Sequence, residues 1–238
     1  MANKWRTFSY SARQDQLHRV RRMVFLALGF FLFYLLLTTF GFFNKALNTS
    51  SMEPGLRAGD RMIFGSRLIF RLLPDEAARF QLNRGDIVLV DMAEGETPLL
   101  RSLLDPVVRF FTAQQLDITG RTERQFVKRI IGLPGDQISM TGFVIRVKPA
   151  DSPYILTEYE LSRRPYDLTI PQGPALWDES LPFSGTLGSI VLGEQECFVL
   201  SDDRSNTNDS RTWGVLPLDC IVGTALFRYW PLNRIGLP

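Results

Sequence analysis

The hydrophobic pattern of this chain is dominated by one uninterrupted apolar stretch near the N-terminus. Residues 23–43 contain no charged side chain, and apolar residues surround the whole circumference of the helix they would form. About 20 such residues are enough to cross a bilayer core of about 30 Å. The apolar core of a cleaved signal peptide is shorter, about 7–15 residues. The stretch therefore predicts a single transmembrane anchor, with a helix buried in a protein core as the alternative.

Beyond the anchor, apolar positions fall into short runs separated by turn residues, a pattern typical of β-strands. Such runs occupy residues 61–64, 87–90, 125–131, 197–200 and 221–231. A stretch over residues 138–191, rich in Pro and Gly, indicates an irregular β insertion. The predicted fold is mainly β, with an N-terminal transmembrane helix followed by a β-rich domain over residues 44–238.

Charge is distributed unevenly around the predicted anchor. Residues 1–22 carry six basic side chains and one acidic one, about +5, whereas the whole chain carries +2. Positive flanks stay in the cytoplasm, which predicts a cytoplasmic N-terminus, a single pass through the lipid of the cell (cytoplasmic) membrane, and an exported domain. The exported domain has a charge of about −3 and lacks the basic face typical of nucleic-acid-binding domains, so no nucleic-acid partner is predicted.

Histidine and cysteine are scarce. Cys197 and Cys220 form no CxxC motif and no zinc-ligand spacing, so no metal site is predicted. The two cysteines either pair in an oxidising compartment or remain buried as small apolar residues. The one histidine, His18, precedes the anchor and lies across the membrane from the exported domain, which excludes a Ser-His-Asp triad there.

Two stretches offer candidate chemistry without a histidine. Ser51 lies in the stretch 48–56, which suits an exposed turn better than a helix. A serine nucleophile needs a base, and a lysine can serve when burial lowers its pKa from about 10.4 by several units. Lys128 lies inside an apolar strand, with Arg129 on the opposite face. The alternatives are an ordinary loop and an exposed basic pair on an edge strand.

A third stretch, residues 202–214, is dense in both signs of charge. It fits either a solvated turn or an ion-paired scaffold in which Asp209 and Arg211 are partners. Its Thr207 hydroxyl is a candidate for orienting an amine.

In this order the stretches resemble the successive boxes of type I signal peptidases, membrane-anchored serine endopeptidases that remove signal peptides from exported proteins. The boxes are Ser51-Met52 with Pro54, Arg84-Gly85-Asp86, Lys128-Arg129 with residues 132–136, and residues 202–214. The resemblance does not extend to residues 94–124 or to most of residues 141–193. Both are interpreted as insertions into an exported signal-peptidase-like catalytic domain.

The resemblance implies a Ser-Lys dyad that needs no cofactor and acts on the signal peptides of exported preproteins. Ser51 would be the nucleophile and Lys128 the general base. The Thr49 hydroxyl would assist the Ser51 backbone amide in the oxyanion hole.

Further roles follow from the same resemblance. Thr207 would hydrogen-bond the lysine, and Asp209 with Arg211 would support that region. Leu47 and Val127 would line two small pockets, which implies cleavage after an Ala-x-Ala-like sequence.

Three residues depart from the family pattern. Ser201, Asp203 and Gly55 stand where the family usually has glycine, asparagine and threonine. A side chain at position 201 would crowd or hydrogen-bond Lys128, or point away from it. Two alternatives to a general signal peptidase are a protease dedicated to pilus or conjugation proteins and a catalytically silent, membrane-anchored binding or assembly module.

Overall fold

The computed structural model describes residues 10–66, 82–92, 104–105, 107–108, 111–112, 120, 124–171 and 185–238. It divides the chain into two compact units, Met1–Phe40 and Gly41–Pro238. Most of the predicted insertion over residues 94–124 lies outside the described residues. The predicted boundaries at residues 22 and 43 remain predictions.

The described residues of the first unit form one helix, α1, over Tyr10–Phe40. The helix ends before the last residues of the anchor predicted over residues 23–43, and Phe42–Ala46 forms a strand. Apolar side chains of α1 are exposed on several sides, including Phe25, Phe30 and Leu36. In the part of the chain that the structure describes, no helix combines the length and apolarity needed to span a membrane.

The second unit contains an antiparallel sheet of seven strands. Its strands are β1 (Phe42–Ala46), β2 (Arg61–Ser66), β3 (Ile87–Asp91), β4 (Gln125–Gly132), β9 (Glu196–Leu200), β10 (Leu216–Pro217) and β11 (Ile221–Trp230). Their order across the sheet is β1-β2-β11-β3-β4-β9-β10. The five strands expected from the sequence are all present, which confirms the prediction of a mainly β fold.

A second sheet occupies the segment expected to be an irregular insertion. Its strands are β5 (Gln137–Thr141), β6 (Val144–Lys148), β7 (Leu156–Thr157) and β8 (Leu187–Val191), in the order β7-β6-β5-β8. A short helix, α2 (Glu158–Leu161), follows β7. Ile138 with Met140 and Ile145 with Val147 alternate with more exposed neighbours, so one face of this sheet is buried. The β insertion expected here is present, and these strands are more regular than expected.

The central strands β3 and β4 are buried on both faces, which explains the apolar run of β3 up to Val90. Alternate residues of β3 enter different clusters. Ile87 and Leu89 pack with Met52, whereas Val88 and Val90 pack with Ile130. Lys128 and Arg129 are consecutive residues of β4, so strand geometry directs their side chains to opposite faces.

Both cysteines are free thiols, with Cys197 fully buried in β9. Of the two alternatives considered for them, the structure adopts the unpaired one.

Candidate active site

Ser51 lies in the connection between β1 and β2. Its side chain is buried, and its Oγ lies 3.1 Å from the Oγ1 of Thr49. The turn around it is closed by the Glu53 amide, which donates to the Ser50 carbonyl at 2.9 Å, and by the buried side chains of Met52 and Leu56. A short turn with two apolar residues in the core fixes the position of the serine.

Two arginines near the C-terminus, Arg228 and Arg234, hydrogen-bond to the connection between β1 and β2 and form a clamp on it. Arg234 donates to the Asp60 carboxylate at 3.0 Å and to the Gly55 carbonyl at 2.8 Å. Arg228 donates to the same two acceptors. The Arg57 amide also donates to Asp60, at 3.0 Å. Sequence reasoning missed this clamp, because no local pattern relates Asp60 to residues more than 160 positions away.

Lys128 lies in β4 with only 1% of its surface exposed. Its neighbour across the β3 ladder is Val88, and its Nζ lies 5.7 Å from the ring centroid of Trp213. The Trp213 ring also packs on Phe126, at 5.3 Å between centroids. Burial lowers the pKa of Lys128 from 10.5 to about 8, although the nearby carboxylate of Asp209 opposes the shift. This environment favours a neutral amine, as a general base requires.

The lysine amine donates one hydrogen bond among the described residues, to the Oγ of Ser201 at 2.8 Å. Within the same residues it donates none to Ser51 or to Thr207. The side chain that departs from the family pattern thus hydrogen-bonds the lysine, one of the outcomes considered for it. Thr207 is half-buried, and its carbonyl accepts from the Thr212 hydroxyl at 2.6 Å.

One short segment contacts both halves of the expected dyad. Ser201 accepts from Lys128, and two residues later the Asp203 amide donates to the Ser51 carbonyl at 3.1 Å. Gly55, in the Ser51 connection, approaches Asp202 closely, since a Cβ at Gly55 would lie 3.9 Å from its carboxylate. The structure therefore brings the serine and the lysine to the same segment, without a direct hydrogen bond between them.

Asp209 and Arg211 form the ion pair that was expected. Arg211 donates to the carboxylate through its Nε at 2.9 Å and its Nη2 at 2.7 Å, and Asp209 caps the short helix α3 (Ser210–Trp213). Burial raises the pKa of Asp209, but the hydrogen bonds from Arg211 outweigh it and hold that pKa below its usual value. The same carboxylate accepts from the Ser201 amide at 3.0 Å. The pair thus fixes the backbone beside the lysine.

The opposite face of β4 carries a second buried cation, Arg129, whose guanidinium has both ion-pair and hydrogen-bond partners. Arg129 forms a bidentate pair with Asp202, at 2.7 and 2.6 Å, and donates to the Gly85 carbonyl at 2.6 Å. Its guanidinium lies 3.9 Å from the ring centroid of Tyr166. The alternative of an exposed basic pair on an edge strand is excluded, because β4 is an interior strand and both side chains are buried.

Leu47 and Val127 are buried together in the cluster that also holds Met52. Their exposed fractions are 4% and 8%. This places both side chains next to the Ser51 turn, and their role as pocket walls remains a prediction. Over the described residues, no group of three or more His, Cys, Asp or Glu side chains could hold a metal ion.

The site brings a buried serine and a buried lysine to one segment. Comparison with known proteins identifies the family of the chain. The family described as signal peptidase, peptidase S26, matches residues 19–230. The chain therefore belongs to the signal peptidase S26 family.

Individual relatives are similar over much of the chain. The probable signal peptidase I-2 of Synechocystis sp. is 28% identical over 195 residues, covering 81% of this chain and 65% of the relative. The signal peptidase I of Leptolyngbya laminosa is 27% identical, covering 81% of this chain and 70% of the relative. That of Bacillus caldolyticus is 34% identical over 48% of this chain and 58% of the relative.

Proposed function

We propose that this protein is a membrane-associated serine endopeptidase that cleaves signal peptides from exported preproteins, with Ser51 as nucleophile and Lys128 as general base. One observation carries the proposal. A lysine buried without a bonded carboxylate contacts the segment that also holds the Ser51 turn. Family membership supports the substrate class.

The proposed reaction is acyl transfer followed by hydrolysis. Lys128 in its neutral form takes the Ser51 hydroxyl proton as Oγ attacks the carbonyl carbon of the scissile bond. The resulting ammonium then protonates the leaving amine, and a water molecule activated by the neutral amine releases the acyl group. A pKa of about 8 supports this role, since a substantial fraction of the lysine is neutral at mildly alkaline pH. The Ser51–Lys128 hydrogen bond forms when substrate binds, as catalytic contacts often tighten then.

The oxyanion would form beside Ser51. In the described part of the chain, the Ser51 amide donates no hydrogen bond, so it is available to a developing negative charge. The Thr49 hydroxyl lies 3.1 Å from Ser51 Oγ and would turn from the nucleophile to the oxyanion as Oγ attacks.

The proposed substrate is an extended segment with small residues before the cut. Side chains of a strand alternate, so the first and third residues before the cut would face the Leu47 and Val127 wall while the second faces away. Apolar walls of this kind accept Ala and exclude long or charged groups, which gives the Ala-x-Ala preference.

We further propose that the apolar segment over residues 23–43 attaches the enzyme to the membrane. Exposed apolar side chains on several sides of α1, and the basic flank before it, support this attachment. The proposed topology places the N-terminus in the cytoplasm and the catalytic unit outside. Protease added to spheroplasts should digest residues 44–238 and leave the flank intact. Protection of the catalytic unit would contradict this topology, and extraction of the chain by alkaline carbonate would contradict an integral anchor.

The decisive test is cleavage of a preprotein by the full-length chain in detergent. Wild type should release the mature protein, Ser51→Ala should not, and Ser50→Ala is the matched control because Ser50 is an exposed neighbouring serine. Equal cleavage by Ser51→Ala and wild type would refute the proposed nucleophile. No cleavage by wild type would favour a silent binding module, and cleavage of pilus-type substrates alone would favour a dedicated protease.

A further inference from the structure

Position 201 lies directly opposite Lys128 at the end of the β4–β9 ladder. Arg129 pairs with Leu200, so antiparallel register places the next residue, Ser201, across from Lys128. Cross-strand neighbours project their side chains onto the same face of a sheet. A side chain at position 201 therefore meets the lysine, whereas the glycine usual in the family offers none.

Ser201 is held rigidly where it meets the lysine. The residue is fully buried, and its amide donates to the Asp209 carboxylate at 3.0 Å. Arg211 fixes that carboxylate through three hydrogen bonds from its backbone amide and guanidinium. The hydroxyl that accepts from Lys128 Nζ at 2.8 Å thus belongs to a connected, buried network.

Thr207, the residue expected to contact the lysine, makes its hydrogen bonds in the described residues through its backbone carbonyl. Its carbonyl accepts from the Asp209 amide at 2.8 Å and from the Thr212 hydroxyl. In the described part of the chain its own hydroxyl makes no hydrogen bond to Lys128.

We propose that Ser201 is a positioning residue that orients the Lys128 amine for proton transfer from Ser51, in place of Thr207. The inference rests on the proposed function, because it concerns the same dyad. A lysine amine turns freely about its last bond, so its lone pair has no preferred direction when all its N–H groups are unbound. Acceptance of one N–H by Ser201 restricts this rotation and limits the directions that the lone pair can take.

The other groups around the amine are unchanged when Ser201 is replaced. The charged ones are the carboxylates of Asp202, Asp203 and Asp209 and the guanidinium of Arg211. The remaining neighbours, Val88 of β3, Phe126 and Ile130 of β4, and Trp213 of α3, do not titrate. A change in the pH profile of a Ser201 variant therefore reports the loss of the hydroxyl.

The test compares kcat, KM and the acid limb of kcat/KM for the full-length chain in detergent, using a peptide substrate with an Ala-x-Ala site. Ser201→Ala should lose about 10- to 100-fold in kcat with KM within about twofold, because substrate binding is intact while proton transfer is misaligned. Its acid limb should move down by about half to one pH unit, since the lost hydrogen bond favours the charged amine. Thr207→Val should lose less than about threefold and leave the limb in place. Ser189→Ala, an exposed serine of the second sheet, is the control.

Wild-type kcat and an unmoved acid limb in Ser201→Ala would overturn the inference, as would a larger loss in Thr207→Val. Melting temperatures identify any variant that fails to fold. If Ser201→Ala unfolds, Ser201→Gly provides the same comparison, with the family's usual residue. The two proposals fail separately. An active Ser51→Ala refutes the proposed function, whereas an inactive Ser51→Ala with an unaffected Ser201→Gly refutes only the role of Ser201.

Discussion

Lys128 and Arg129 are consecutive cations, buried on opposite faces of one strand. They differ in whether a carboxylate is hydrogen-bonded to them. Arg129 has a bidentate carboxylate, a carbonyl and an aromatic ring as partners. Lys128 has a serine hydroxyl and apolar neighbours, with its nearest carboxylates acting only at a distance. Burial therefore lowers the pKa of Lys128 to about 8, whereas the Asp202 pair outweighs burial and raises that of Arg129.

The comparison shows that burial alone does not decide what a cation does. A buried charge with a complete set of partners stabilises one arrangement of the chain and stays charged. A buried amine without a bonded carboxylate gives up its proton easily, which is what a general base must do. The two cations of β4 are thus suited to different tasks, Arg129 to structure and Lys128 to proton transfer.

The largest expected effect is on catalysis from the Lys128 face. Lys128→Ala and Ser51→Ala should each lose about 10³-fold or more in kcat, and the double variant should be little worse, because the two residues act as a unit. Lys128→Arg should fail as well, since a guanidinium does not become neutral. Single-turnover cleavage measures all four, and near-normal turnover in Lys128→Ala would exclude the lysine as base.

The next largest effect is on stability from the Arg129 face. Arg129→Met leaves the Asp202 carboxylate buried and unpaired, which should cost about 3–5 kcal/mol of unfolding free energy. Adding Asp202→Leu should restore much of that loss, because the unpaired charge is gone. Urea unfolding of both variants, with the exposed Arg146→Met as control, measures the difference. A single variant as stable as the control would show that the pair contributes nothing.

The contrast between the two faces could be foreseen from the sequence only in part. The apolar run 125–131 predicted a strand and opposite faces for its two cations, because alternation is a local property. Their partners are not local. Asp202 and Ser201 come from a segment 73 residues away, and only the β4–β9 register places Ser201 opposite Lys128.

Other parts of the site depended on the same non-local information. The expected Thr207 contact followed the family pattern, which contains no side chain at position 201 to compete for the lysine. The arginine clamp on Asp60 had no recognisable local signal. The β insertion was expected, but the pairing of its short strands into a regular sheet was not. Ser51, Lys128 and the Asp209–Arg211 pair could be singled out because each lies in a distinctive short motif.

A third prediction concerns the pH dependence of stability that follows from the lowered pKa of Lys128. Folded Lys128 titrates near pH 8 and unfolded lysine near 10.5, so between these values the unfolded state binds more protons and stability rises with pH. Lys128→Met removes this dependence. The variant should be more stable than wild type by about 3 kcal/mol at pH 7, and the difference should vanish by about pH 11. Denaturant titrations across this range test it, and a constant difference would mean that the lysine titrates normally.

The smallest expected effect concerns Val127, which shares the Arg129 face of β4 and packs with Leu47 in the cluster beside Ser51. If these two side chains wall the substrate pockets, Val127→Ala or Leu47→Ala should admit Val or Leu just before the cut. Apolar contacts discriminate by only about 1–3 kcal/mol per methylene, so the relaxation should be partial.

Both side chains are also core residues, and each variant should lose stability, about 2–5 kcal/mol for Leu47→Ala. Met62→Ala controls for this loss, because Met62 is a buried residue of the same cluster and has no proposed role in the pockets. Cleavage-site mapping by mass spectrometry on preproteins with Ala, Val or Leu before the cut measures the choice. Equal discrimination in wild type and both pocket variants would mean that other residues form the wall, and a matching change in Met62→Ala would trace the effect to a loosened core.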